Sequence, residues 1–123
     1  MKVLFILNDP PYGSERPYNA IRLAASVSQQ PETEVRVFLM GDAAVIAKRG
    51  QKVPAGYYNL ETMLRKVIKP EGGGVPDGGN VGVCGTCMDA RGMTAEELSE
   101  GTHRGTMGEL TTWTLWAERT LVF

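Results

Sequence analysis

The chain has 123 residues, 42% of them hydrophobic and 22% charged, with a formal net charge of −1. That balance excludes a disordered chain, which lacks the apolar residues to bury, and the length suits one domain with a core large enough to need no metal or disulfide staple. There is no basic run to mark a nucleic-acid footprint, and no apolar stretch approaches the ~20 residues that span a bilayer.

Residues 2–7 form a nearly continuous apolar run, the pattern of a strand buried on both faces of a parallel sheet. The run is short and is followed by Asn8-Asp9-Pro10-Pro11 rather than a small-residue cleavage site, so it does not read as a secretory signal. The expectation is a cytoplasmic protein, a setting in which two cysteines serve catalysis, redox chemistry or metal binding more often than stapling.

After the turn Pro10-Pro11-Tyr12-Gly13, Ser14 is a candidate N-cap with Pro17 in the first helical turn, and the helix is expected to run to about Gln29. Ile21, Ala24, Ala25 and Ser28 supply its core-facing spacing, and Pro31 ends it. A second strand is expected over 34–40 and a short helix over 42–48, followed by an irregular segment over 50–58. The next helix is the clearest. Leu60, Met63, Leu64, Val67 and Ile68 form an apolar stripe between the cap Asn59 and the stop Pro70.

Residues 71–80, rich in glycine, read as a mobile surface loop. They lack the strand-before, helix-after setting of a phosphate loop. A short strand over 80–83 leads into Cys84. Thr94 with Glu97, and Thr106 with Glu109, match the capping-box spacing and predict two further helix starts. The second leads a helix with Leu110, Trp113 and Ala117 on one face, and residues 120–123 read as a closing strand. Alternation of strands and helices predicts a parallel sheet covered on both faces.

Chemistry concentrates at Cys84-Gly85-Thr86-Cys87, where a late strand gives way to a helix. In open α/β sheets, sites form beyond the carboxyl ends of strands. A helical turn starting near Gly85 or Thr86 would stabilise a thiolate, and Gly85 would let a partner's sulfur approach the backbone. Arg91 would add positive charge there, and Asp89 would oppose it. Simpler readings stand beside this one. Either thiol also reads as a small buried hydrophobe. A closed zinc site wants four ligands, and the chain offers two cysteines and one histidine, His103. A thioredoxin-like exchanger carries its pair after an early strand, whereas this pair follows three expected helices. His103 reads as a loop or helix-cap residue, and Trp113 and Trp116 as packing residues.

The opening strand with Asn8-Asp9-Pro10-Pro11-Tyr12-Gly13-Ser14-Glu15 resembles the start of DsrE/DsrF-like proteins. So do Phe38-Leu39-Met40-Gly41-Asp42-Ala43, Arg49-Gly50-Gln51-Lys52, Cys84-Gly85-Thr86-Cys87-Met88-Asp89-Ala90-Arg91-Gly92 and Glu109-Leu110-Thr111-Thr112-Trp113-Thr114-Leu115. The resemblance covers nearly the whole chain in order. It implies a three-layer α/β/α, Rossmann-like or flavodoxin-like domain over residues 1–123, with a mostly parallel central sheet of about five strands. It further implies assembly as a homotrimer or homohexamer.

For function, the resemblance implies a sulfurtransferase-type persulfide carrier with sulfur donor and acceptor proteins as partners, and with no cofactor, metal, membrane or direct nucleic-acid contact. The family's carrier cysteine stands eight positions before the glycine of an Arg-Gly pair, and Cys84 keeps that spacing to Gly92. Cys84 is thereby the implied carrier and Cys87 an auxiliary thiol, with Gly85, Thr86, Asp89 and Arg91 shaping the site. Two alternatives stay open: a thiol–disulfide oxidoreductase using the Cys84–Cys87 pair, and a non-catalytic oligomeric module.

Overall fold

The computed structural model describes residues 1–73 and 78–123. Five strands, β1 (Lys2–Leu7), β2 (Glu34–Leu39), β3 (Val81–Cys84), β4 (Thr102–Gly105) and β5 (Arg119–Val122), form one sheet in the order β4-β3-β2-β1-β5. Every neighbouring pair is parallel. The helices are α1 (Arg16–Ser28), α2 (Leu60–Arg65), α3 (Gly85–Ala90) and α4 (Met107–Trp116), with 3₁₀ turns at Gly41–Ala47 and Ala95–Glu97.

Alternation along the strands sorts the core into two layers. Val3, Phe5, Leu7, Val35, Val37, Leu39, Val81 and Val83 face α1, α2 and the Gly41–Ala47 turn. Leu4 and Phe38 face the other way, with Cys84, and pack under Leu110 and Trp113 of α4. Residues of a parallel strand buried on both sides are apolar at both parities, which explains the unbroken run over residues 2–7. The three-layer α/β/α expectation holds, and the sheet is parallel throughout.

Several local expectations change. The N-cap of α1 is Glu15 rather than Ser14, although the Ser14 hydroxyl accepts the Arg16 N–H at 3.3 Å while donating to Asp9. Thr94 and Glu97 do form a reciprocal capping box, yet it opens only the Ala95–Glu97 turn rather than a helix. β4 has no counterpart among the expected elements. Its residues, Thr-His-Arg-Gly, carry no apolar alternation, and as an edge strand it is held by backbone pairing to β3.

The helix expected over 59–69 starts as anticipated, with the Asn59 side chain accepting from the Thr62 N–H, but closes at Arg65. Beyond it the Lys66 and Val67 N–H groups bond three residues back, to Met63 and Leu64. Leu60, Leu64 and Val67 stay fully buried, so the apolar stripe outlives the α-helical hydrogen bonding.

Of the segment expected as a surface loop, residues 74–77 lie outside the described residues. Glu71 is exposed, but the inner flanks are not surface. Gly73, Gly78, Gly79 and Asn80 are buried. The Trp113 Nε1–H donates to the Gly73 carbonyl at 3.1 Å, and Arg36 Nε donates to that of Gly72 at 3.3 Å. Arg36 in turn lies over the Trp116 ring, 3.8 Å from its centroid, and burial pushes its pKa down from the usual value.

Asn80 is the central tie of this region. It is 1% exposed, donates to the carbonyls of Val35 and Val67 at 2.9 and 2.8 Å, and accepts from the Lys69 N–H. Removing the amide strands buried backbone groups that have no route to water. Asn80→Ala is therefore expected to cost about 2–4 kcal/mol in urea unfolding, against less than about 0.5 kcal/mol for an exposed control such as Lys66→Ala.

Candidate functional site: the end of strand β3

β3 ends at Cys84 and α3 begins at the next residue. Cys84 is thus the last residue of a strand and the N-cap of a helix at once, with its sulfur accepting the Cys87 N–H at 3.3 Å and lying 3.4 Å from the Thr86 hydroxyl. The two cysteines are three residues apart, with Cα atoms 5.2 Å apart, and are joined as a disulfide. One helical turn brings side chains at this spacing together. Cys87 touches both core layers and is half-buried, whereas Cys84 is 8% exposed.

Cys84 is reached through a cleft of about 180 Å³, lined by Phe38, Met40, Gly85, Thr86 and, from β4 and α4, Arg104 to Met107. This is the α4 side of the sheet. The cleft exists because β4 meets β3 there with Gly105 directly beside Cys84. A Cβ on Gly105 would stand 2.8 Å from Glu109 Oε1 and 2.9 Å from the Phe38 ring. Gly82, two residues before Cys84, is equally constrained, with Glu109 Oε1 at 2.6 Å from a Cβ position. Two strand glycines thereby admit the Glu109 carboxylate to the sheet surface.

That carboxylate binds His103 Nε2 through both oxygens at 2.8 Å. A carboxylate accepts, so Nε2 carries the proton. Nδ1 is buried with no partner among the described residues. His103 is a strand residue packed edge-on to Trp113, and its expected role as a loop or helix cap is corrected accordingly. The capping-box expectation at Thr106 is half met. The Thr106 hydroxyl accepts the Glu109 N–H at 3.1 Å, while the Glu109 side chain turns away to His103.

The charges expected around the thiols are already paired. Arg104 clamps Asp89 through two hydrogen bonds of 2.7 and 2.8 Å, and this holds the Asp89 carboxyl below the usual carboxylate range. Arg91 binds Asp42 at 2.8 Å and the Cys87 carbonyl at 3.1 Å. Neither Asp89 nor Arg91 acts as the free charge the sequence suggested. Gly85 also clears room for Arg104: a Cβ there would stand 2.8 Å from the Arg104 guanidinium carbon. Sequence reasoning missed Phe38, Met40, Arg104, Met107 and the Glu109–His103 pair, because each reaches the site through sheet order. The strand glycines Gly82 and Gly105 were the one local signal. Among the described residues, no group of three or more His, Cys, Asp and Glu side chains is placed to hold a metal ion.

The model of the DsrE/DsrF-like family matches residues 1–123. The chain belongs to that family. It is similar to protein YchN of Escherichia coli K12, with 39% identity over 99% of this chain and 98% of that protein. An uncharacterized protein of Methanopyrus kandleri is 31% identical over 98% of this chain and 93% of its own length. The crystal structure of E. coli YchN superposes with a TM-score of 0.83 and 39% identity, covering 100% of this chain and 99% of that one. Membership supports a sulfur-relay-related role at the level of the family. No helix among the described residues is long and apolar enough to cross a membrane.

The Asp89–Arg104 clamp has a pH signature. Because the Asp89 pKa is lowered in the folded protein, the clamp is complete above the ordinary aspartate range, near pH 4, and is lost as pH falls through the lowered value. Asp89→Asn removes the countercharge and leaves Arg104 beside Cys84. In reduced protein this is expected to raise the rate of Cys84 alkylation by iodoacetamide at pH 7 roughly threefold, equivalent to about half a pKa unit. An unchanged rate would place Arg104 outside the field that Cys84 feels.

Proposed function

We propose that the protein is a persulfide carrier in cytoplasmic sulfur transfer, loading sulfane sulfur on Cys84. The observation that carries this reading is a strand-end cysteine at the wall of a small cleft, with a second thiol within bonding reach one turn later. The Cys84 thiolate attacks the outer sulfur of a donor persulfide. The donor's inner sulfur departs as a thiolate, and Cys84 is left as a persulfide. An acceptor thiolate then takes the outer sulfur and returns Cys84 to its thiolate form. No cofactor enters either step.

Cys87 gives the persulfide a second fate. Its thiolate attacks Cys84 Sγ, expels hydrosulfide and leaves the Cys84–Cys87 disulfide, so sulfane sulfur is reduced while two thiols are oxidised. A dithiol reductant must then reopen the pair. The disulfide itself favours an alternative, a thiol–disulfide oxidoreductase that exchanges electrons without holding sulfur.

A cleft of about 180 Å³ suits a single side chain or short sulfur chain, which agrees with sulfur donor and acceptor proteins that insert a cysteine. Leu115, Val122 and Met107, 82%, 66% and 64% exposed, give α4 and β5 an apolar outer surface that supports assembly as a homotrimer or homohexamer.

The test is intact-protein mass spectrometry of reduced protein after brief exposure to polysulfide, or to a cysteine desulfurase with cysteine. Wild type is expected to gain a reductant-labile sulfur, Cys84→Ser to gain none, and Cys87→Ser to hold its added sulfur longer than wild type. Loading that survives Cys84→Ser would overturn the carrier assignment. Loss of two hydrogens from wild type, together with no added sulfur on Cys87→Ser, would move the assignment to disulfide exchange.

A further inference from the structure

All four tyrosines of the chain gather in one place, away from the cysteines. Tyr12, from the turn after β1, and Tyr57 and Tyr58, from the irregular segment before α2, line a cavity of about 440 Å³ with Lys52, Val53 and Pro54. Tyr18 of α1 backs it, stacked on Tyr58 with ring centroids 4.2 Å apart. None of these residues lines the cleft at Cys84.

Two of the walls, Tyr12 and Tyr58, are held before anything binds. The Tyr12 hydroxyl accepts the Leu60 N–H at 3.2 Å and bonds the Gln51 side chain. Gln51 is itself tied down: its amide donates to the Ile46 and Lys48 carbonyls at 2.8 and 2.9 Å, and its backbone N–H binds the buried Glu61 carboxylate at 3.0 Å. Tyr58 is pinned between Tyr12 and Tyr18. Tyr57, by contrast, is 74% exposed, an aromatic ring left largely uncovered at the cavity's edge. A volume of this order lies in the range of small-molecule pockets, and fixed walls spare a ligand the cost of ordering them.

The lining also selects. Three rings and a proline offer flat apolar faces suited to stacking against an aromatic system. Lys52 is the one charged residue in the lining, and it makes no ion pair among the described residues. A single unneutralised ammonium favours one negative charge, and two or more would be left without counterparts.

We propose that this cavity is a binding site for a flat aromatic small molecule bearing one anionic group, an aromatic carboxylate. The aromatic part stacks among Tyr12, Tyr57 and Tyr58, and the carboxylate meets Lys52. The site is independent of the thiol chemistry. It gives the chain a ligand-binding function separate from sulfur transfer.

Isothermal titration of the full chain with 2-naphthoate and its neutral counterpart 2-naphthamide tests this. Wild type is expected to bind one naphthoate per chain with a Kd between about 10 µM and 1 mM, and the amide roughly fivefold more weakly. Lys52→Met should abolish that preference while keeping the amide's affinity. Tyr57→Ala should weaken both ligands roughly fivefold or more, through lost stacking. Cys84→Ser should bind like wild type, so failure of the sulfur-carrier assignment and failure of this one are read separately. Both substituted side chains are exposed, and circular dichroism checks that the fold survives. The proposal is overturned if wild type shows no saturable binding, including because neighbouring subunits cover the cavity. It is also overturned if Lys52→Met and Tyr57→Ala bind as wild type does.

Discussion

The junction between β3 and α3 has no connecting residue, and the site depends on that economy. A strand residue is held by its pairing to a neighbouring strand, and a helix N-cap is held by the N–H groups that follow it. Cys84 is both. Its backbone pairs in register with Gly105 of β4, while its sulfur takes the Cys87 N–H. Any loop inserted here would free the first thiol from the sheet and let the two cysteines drift apart. The direct junction sets their Cα separation at 5.2 Å and points Cys84 to the α4 side of the sheet.

The two faces of the sheet divide the work of the fold. The face under α1 and α2 is closed with aliphatic side chains and supplies most of the buried apolar surface. The face under α4 is built differently. Phe38, Leu110 and Trp113 form a small cluster, and around it lie Arg36, Glu109 and His103, polar groups brought in with partners. Burying such groups costs stability unless each is bonded. Here Arg36 has two indole rings and the Gly72 carbonyl, and Glu109 has the His103 ring. His103 Nδ1 is left without a partner among the described residues.

What the sequence disclosed follows from which interactions are local. β1 and β2 were legible from apolar runs, α1 from its periodicity, and α2 from Asn59 and the stripe behind it, because these signals lie within one element. The Cys84 junction was legible because a C-x-x-C pair needs only one helical turn. β4 was not, since nothing in Thr-His-Arg-Gly announces a strand whose partner lies about twenty residues earlier. The partners of Asp89 and Arg91 were invisible for the same reason: Arg104 stands 15 residues from Asp89, and Asp42 stands 49 from Arg91. Reading charges from neighbours in sequence gave the thiols an Arg91 and an Asp89 that are both already bound.

That last difference changes the electrostatic picture of the cleft. Flanking charges taken singly would make the site a strong attractor or repeller of anionic sulfur species. Paired as Arg104–Asp89 and Arg91–Asp42, they leave the cleft close to neutral, with an apolar floor of Phe38 and thioethers from Met40 and Met107 at its sides. Soft, polarizable walls of this kind suit the carrier role proposed for Cys84. Selection then falls to shape. Arg104 is held over Gly85 by Asp89, so the width of the entrance depends on a clamp made by exposed groups rather than on the buried core. The sheet positions Cys84, and the exposed Arg104–Asp89 pair stands at the cleft beside it.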